Sequence, residues 1–139
     1  MTRLDLVARK YLGVPFKHQG RNPSTGVDCV GLLSVCVREC GLLHLMRHDE
    51  TAYARNPAFG ELEAKLRAVF GSPVGTVSPG DVVSISFHGQ TRHVAIVGNI
   101  GGRMTLIHTA SNVGRVIEHG LTDAWRRRIT GVYRIGGSP

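Results

Sequence analysis

Cys29, His93 and His108 are the residues whose types and placement could do chemistry. Cys29 follows Asp28, a residue suited to capping a helix, and a loop containing Gly26 precedes both. A cysteine in the first turn of a helix meets unpaired backbone N–H groups and the positive end of the helix dipole, which favour a thiolate. The same N–H groups can stabilise a developing oxyanion. His93 and His108 fall in two successive segments with strand character. If those strands pair antiparallel, the imidazoles lie side by side on one face, with Ala95 and Val97 behind one and Leu106 and Met104 behind the other. Nucleophile, base and a third group that orients the base is the logic of thiol hydrolases. Taken singly, each residue has a plainer reading. A cysteine at a helix start packs as a small buried residue, and a histidine on a strand serves as a structural hydrogen-bonder. Spacing alone leaves both open.

Metal chemistry fits the sequence less well. Cys29, Cys36 and Cys40 share one helical stripe, but a rise of ~1.5 Å per residue puts Cys29 about 10 Å from Cys36. That is too far for one ion or one disulfide. Cys36 and Cys40 belong to no CxxC or HExxH pattern and read as core residues packed with Leu32 and Leu33. No metal and no organic cofactor are expected.

Positioning these residues falls to an α+β arrangement, with helices first and strands after. Thr2 is placed to cap a first helix carrying Leu4, Val7, Ala8, Tyr11 and Leu12 on one side, with Asp5 at a capping-box spacing and Gly13 and Pro15 as stops. Residues 16–27 read as a polar loop. A second helix is predicted from Asp28 to near Gly41. Residues 42–58 are irregular, and a third helix over 59–70 buries Phe59, Leu62, Leu66, Val69 and Phe70. After Pro73 the period becomes 2. Strands are expected over 82–87, 93–97, 103–109, 115–118 and 129–135, with turns at 79–81, 88–90 and 98–102 and a helical turn over 121–127. Short turns between successive strands imply an antiparallel sheet. His18, His44, His48, His88 and His119 fall on expected loops or surface and take no further role, His18 excepted for its place ahead of Cys29.

Composition sets outer limits. The 139 residues suit one domain over 1–139, and 42% apolar residues can build a core. The net charge of +7 suits an anionic partner. Basic residues are scattered, with Arg126 to Arg128 the single run of three, and aromatics are sparse for base stacking, so nucleic acid is not expected as a ligand. No apolar run approaches the roughly 20 residues that span a bilayer, so no membrane insertion is expected. The start, Met1-Thr2-Arg3-Leu4-Asp5, lacks the apolar stretch of a secretory signal.

Gly13-Val14-Pro15-Phe16, Gln19-Gly20-Arg21 and Gly26-Val27-Asp28-Cys29-Val30-Gly31-Leu32 are similar to the nucleophile region of the NlpC/P60 family, usually P-Y-x-W-G-G followed by D-C-S-G-L. Pro79-Gly80-Asp81-Val82-Val83 resembles its P-G-D-L-V strand entry, and His93-Val94-Ala95-Ile96-Val97-Gly98 its H-V-G-I-Y-x-G motif. Leu106-Ile107-His108-Thr109-Ala110 resembles the strand bearing its third polar residue. The matches keep the family's order over roughly residues 4–110. The tail, Gly114 to His119 and Trp125 to Arg134, resembles the branch found in tailed phages and gene transfer agents.

The resemblance implies a papain-like fold with N-terminal helices packed on a C-terminal antiparallel sheet. It implies Cys29 as nucleophile, His93 as general base and His108 as the residue orienting His93. Asp28, Phe16, His18 and Gln19 become candidates for the oxyanion or substrate site. The expected reaction is cleavage of peptidoglycan stem peptides, often between D-γ-glutamyl and diaminopimelate. The expected setting is a virion tail, made in the bacterial cytoplasm and acting at the periplasmic wall, with other tail-tip or baseplate proteins as partners. Two positions depart from the family. Phe16 stands where a tyrosine is usual and has no donor, which passes that role to a neighbour such as His18 or Gln19. Val30 replaces a serine and alters the groove. The alternatives are a tail-tip assembly subunit with vestigial catalysis, and an amidase or acyltransferase on the same scaffold.

Overall fold

A computed structural model describes residues 3–41, 61–87 and 90–134. The first helix, α1, is short, Leu4–Ala8, and tightens into a 3-10 turn over Arg9–Tyr11. Its N-cap is Arg3, which makes no side-chain cap bond. The expected cap, Thr2, lies outside the described residues. Leu4, Val7 and Ala8 are buried while Leu12 is exposed, because the change of pitch turns the last residues off the apolar stripe.

The predicted polar loop contains a small ladder, β1 (Arg21–Asn22) against β2 (Gly26–Val27). Helix α2 follows over Cys29–Glu39, ended by Gly41 at φ +80°, a conformation that favours glycine. The irregular stretch expected over 42–58, and Phe59 with it, lie outside the described residues. Helix α3 spans Glu61–Phe70 and buries Leu62 and Leu66, with Val69 and Phe70 partly covered.

The remaining strands form one antiparallel sheet: β3 (Val82–Phe87), β4 (Gln90–Ile100), β5 (Arg103–His108), β6 (Ile117–Gly120) and β7 (Ile129–Tyr133). Their order is β6-β5-β4-β3-β7. A four-residue helix, α4 (Asp123–Arg126), joins the last two. Strand β4 runs to Ile100, beyond the expected turn at 98, because Gly98 to Ile100 keep pairing with Arg103 to Thr105. Strand β6 sits two residues later than predicted.

Period-2 alternation gives the sheet two apolar faces. Val82, Val94, Ile96 and Ile107 pack under the helices with Leu4, Val7, Leu32, Cys36 and Val37. Val83, Ala95, Val97, Leu106 and Val132 form the opposite face, covered by Val74, Val77, Leu121 and Trp125. Cys36 is a core residue, as expected; Cys40 packs at its edge. Ile85 faces His93 across β3 and β4, and the register shifts just beyond it, between Ile85 and Ser86. A bulge of this kind bends a strand and re-aims its side chains.

Candidate active site

Asp28 builds the start of α2. Its Oδ1 accepts the Gly31 N–H at 2.7 Å and its Oδ2 accepts the Gln19 N–H at 2.9 Å. Arg21 Nη1 lies 3.2 Å from Oδ1. One buried carboxylate thus caps the helix and ties the preceding loop to it. Gln19 is held at φ +61°, unusual for a residue other than glycine. The loop and helix touch at Gly20 and Gly31, where a Cβ on Gly31 would come 1.9 Å from the Gly20 carbonyl oxygen. This contact requires glycine because backbone approaches backbone.

Cys29 is the first residue of α2, and its thiol reaches the backbone N–H of Val94. Strand geometry explains why that N–H is available. Val97 bonds toward β3, its N–H reaching Asp81 O at 2.8 Å, so the alternate residues Val94 and Ile96 direct theirs toward β5. The β4–β5 pairing begins only at Ile96 with Ile107. Val94 therefore aims its N–H into the space where the two strands part, and the sulphur occupies that space. Leu32, Leu33, Val94, Ile96 and Ile107 line the contact around it.

Burial pushes the Cys29 thiol up to about 11, against the opposing pull of the Val94, Val30 and Cys29 N–H groups. This corrects the expectation of a thiolate at rest. The helix terminus does favour the anion, but the apolar floor penalises it more.

His93 and His108 meet as the spacing predicts, with His93 Nε2 2.6 Å from His108 Nδ1. Extending the β4–β5 register by one residue sets His108 opposite Ala95, so the two histidines are diagonal neighbours on the face away from the helices. Both are buried. Burial first, and then the neighbouring imidazoles, lower His93 to about 3 and His108 to about 4. At neutral pH the site therefore holds a thiol and uncharged imidazoles.

The chain of rings continues to a residue without an expected role. His119, opposite Leu106 on β6, places Nε2 2.7 Å from His108 Nε2, and its Nδ1 lies 3.0 Å from the Gly120 carbonyl oxygen. Trp125 packs on both rings, with centroids 4.8 Å from His119 and 5.4 Å from His108. The placement of His119 corrects its assignment to a loop. The available signal was its period-2 offset from Ile117, lost because the strand was expected to stop at 118. Each imidazole aims a nitrogen at its neighbour, giving a chain and not a chelate, and among the described residues no group of side chains could hold a metal ion.

The remaining candidates divide. Phe16, half-buried, bridges Val27 two residues before Cys29 and bonds through its N–H to Gly114 O at 2.9 Å. His18 and Gln19, both half-buried, belong to the loop tied down by Asp28. Asp28 itself is turned inward, a support for the helix that opens on Cys29, because its oxygens are taken up by that loop and helix.

A helix that opens on a cysteine, set against an antiparallel sheet that carries the histidines, places the chain in the papain-like α+β class. The chain belongs to the NlpC/P60 family, whose model matches residues 13–134. It is 29% identical over 127 residues to a Gamma-DL-glutamyl hydrolase of Bacillus subtilis (strain 168), covering 91% of this chain and 27% of that protein. It is 29% identical over 128 residues to a Probable endopeptidase p60 of Listeria grayi, covering 92% of this chain and 21% of that one. The chain thus spans about a quarter of the length of these relatives. The fold is similar to the crystal structure of an NlpC/P60 family protein from Bacillus cereus ATCC 10987, with a TM-score of 0.64 at 19% identity over 95% of this chain and 39% of the other.

Proposed function

We propose that the chain is a thiol hydrolase that cuts amide bonds in peptidoglycan stem peptides, with D-γ-glutamyl–diaminopimelate bonds as its target. The observation that carries this reading is the Val94 N–H at the Cys29 sulphur, which brings the thiol to the residue next to His93. The name of the Bacillus subtilis relative, a γ-glutamyl hydrolase, supports the choice of bond.

The chemistry follows from neutral groups. His93 uses Nε2 toward His108, so Nδ1, the ring nitrogen nearer the main chain, takes the thiol proton as sulphur attacks the carbonyl carbon. The oxygen gains the charge and is stabilised by N–H groups at the start of α2. The C–N bond then breaks, His93 returns the proton to the departing amine, and water hydrolyses the thioester with His93 again as base. The net positive charge suits the free carboxylates of stem peptides. The similarity of Gly114 to His119 and Trp125 to Arg134 to phage-tail members supports a virion tail as the setting. There the protein would be made in the bacterial cytoplasm, docked on tail-tip or baseplate proteins and brought to the periplasmic wall.

A second reading, a tail-tip subunit with vestigial catalysis, is favoured by the raised Cys29 thiol, which leaves little thiolate at neutral pH. Mass spectrometry of diaminopimelate-type muropeptides incubated with wild type and Cys29→Ala separates the two. New stem fragments with wild type alone establish the hydrolase, and their masses name the bond. Masses with an added amine in place of water would make the site a transferase. Cleavage that survives in Cys29→Ala would refute the mechanism, and cleavage by neither protein would favour the structural subunit.

A further inference from the structure

We propose that His119 is a positioning residue that sets the tautomers of His108 and His93, so that His93 meets the thiol with a lone pair. The relevance to catalysis rests on the hydrolase reading above; the tautomers are a property of the resting protein.

The Gly120 carbonyl oxygen at the end of the row of imidazoles has a fixed role. A carbonyl oxygen only accepts, so the His119 nitrogen 3.0 Å from Gly120 O, Nδ1, carries a hydrogen. In neutral His119 the other nitrogen, Nε2, is then a lone pair. It lies 2.7 Å from His108 Nε2, which must therefore donate. His108 Nδ1 is left as an acceptor and takes its hydrogen from His93 Nε2 at 2.6 Å. His93 Nδ1 is left with its lone pair. An isolated His93–His108 pair could run in either direction, and the opposite one puts a hydrogen on His93 Nδ1, where it cannot take a proton from sulphur. The Gly120 carbonyl, acting through His119, selects the productive direction. Trp125 stacks on His119 with planes 38° apart and meets His108 edge-on at 65°, which holds both rings against rotation.

Long-range 1H–15N correlation spectra of the histidine-labelled protein at pH 8, above the ordinary imidazole range, test the assignment directly. We expect the hydrogen on Nε2 of His93, on Nε2 of His108 and on Nδ1 of His119. His119→Ala should release the first two into mixed or reversed tautomers. His119→Gln, whose amide oxygen can accept from His108, should restore the wild-type pattern. On muropeptides, His119→Ala should lower kcat about 10-fold or more with KM little changed, and His119→Gln should recover most of it. A hydrogen on His93 Nδ1 in wild type, or an unchanged His93 tautomer in His119→Ala, overturns the proposal. The expected tautomers in a protein that cleaves no muropeptide would overturn the hydrolase reading and leave this assignment standing.

Discussion

Lowering the pH from 7.5 to 5.0 should remove about 4 kcal/mol of folding free energy through His93 and His108 together. Both bases have folded-state values, about 3 and about 4, below the 6.5 of the unfolded chain. Between these limits the unfolded state binds more protons, so stability falls as pH falls through 6.5. At pH 5.0 each histidine is protonated when unfolded and neutral when folded. Each therefore favours the unfolded chain by about 2 kcal/mol, from 1.5 pH units at about 1.4 kcal/mol per unit. Glu118 is held by Arg9 below its ordinary 4.5 and stays ionised in this window. A loss of this size is a large part of the ~5–15 kcal/mol that stabilises a typical domain. Urea unfolding followed by far-UV circular dichroism at the two pH values measures it, and His93→Gln should lose about half as much as wild type. Equal losses in wild type and variant would refute the idea that His93 is buried without charge.

Asp28→Ala should cost about 2–4 kcal/mol in the same unfolding assay, because it removes the helix cap and strands the Gln19 N–H. Asp28→Asn, with one oxygen for two donors, should recover roughly half of that loss. Gly31→Ala should cost about 2 kcal/mol or more, since its Cβ would meet the Gly20 oxygen at 1.9 Å. Gly120→Ala, with open space at its Cβ, should change stability by less than about 0.5 kcal/mol. Arg9→Met should cost about 3 kcal/mol by leaving the Glu118 carboxylate, 5% exposed, without its 2.7 Å partner. A double-mutant cycle with Glu118→Leu should show the pair of changes costing less than Arg9→Met alone.

The parts of this molecule governed by local rules were readable in the sequence. Asp28 and Gly41 bracket α2 because capping and the left-handed stop are decided within a few residues. The alternation through 82–97 and 103–108 announced a sheet whose successive strands are antiparallel neighbours, and so the meeting of His93 with His108. What escaped depends on distant groups. The state of the Cys29 thiol is decided by Leu32, Ile96 and Ile107 around it, which outweigh the helix end that the sequence displays. His119 reached the site because β6 pairs two residues later than its own composition suggests, in a register set by Thr105 to His108. The ladder at 21–27 is too short for any periodicity to reveal.

The register of β6 has a consequence for how this chain tolerates insertions and deletions. Leu106 faces His119 and Ile107 faces Glu118. Neighbours on a strand point to opposite faces, so a slip of one residue exchanges their destinations. It would carry Glu118 toward the buried imidazoles and His119 toward Arg9. One residue gained or lost between Thr109 and Val116 is enough to force that choice. Residues 13–16 work against it as a ruler: Gly13 and Val14 clasp Val116, and Phe16 holds Gly114, each through a 2.9 Å backbone bond. Length should therefore be guarded in this connection more closely than residue identity, and a library of one-residue insertions across 109–116 should lose the site long before it loses the sheet.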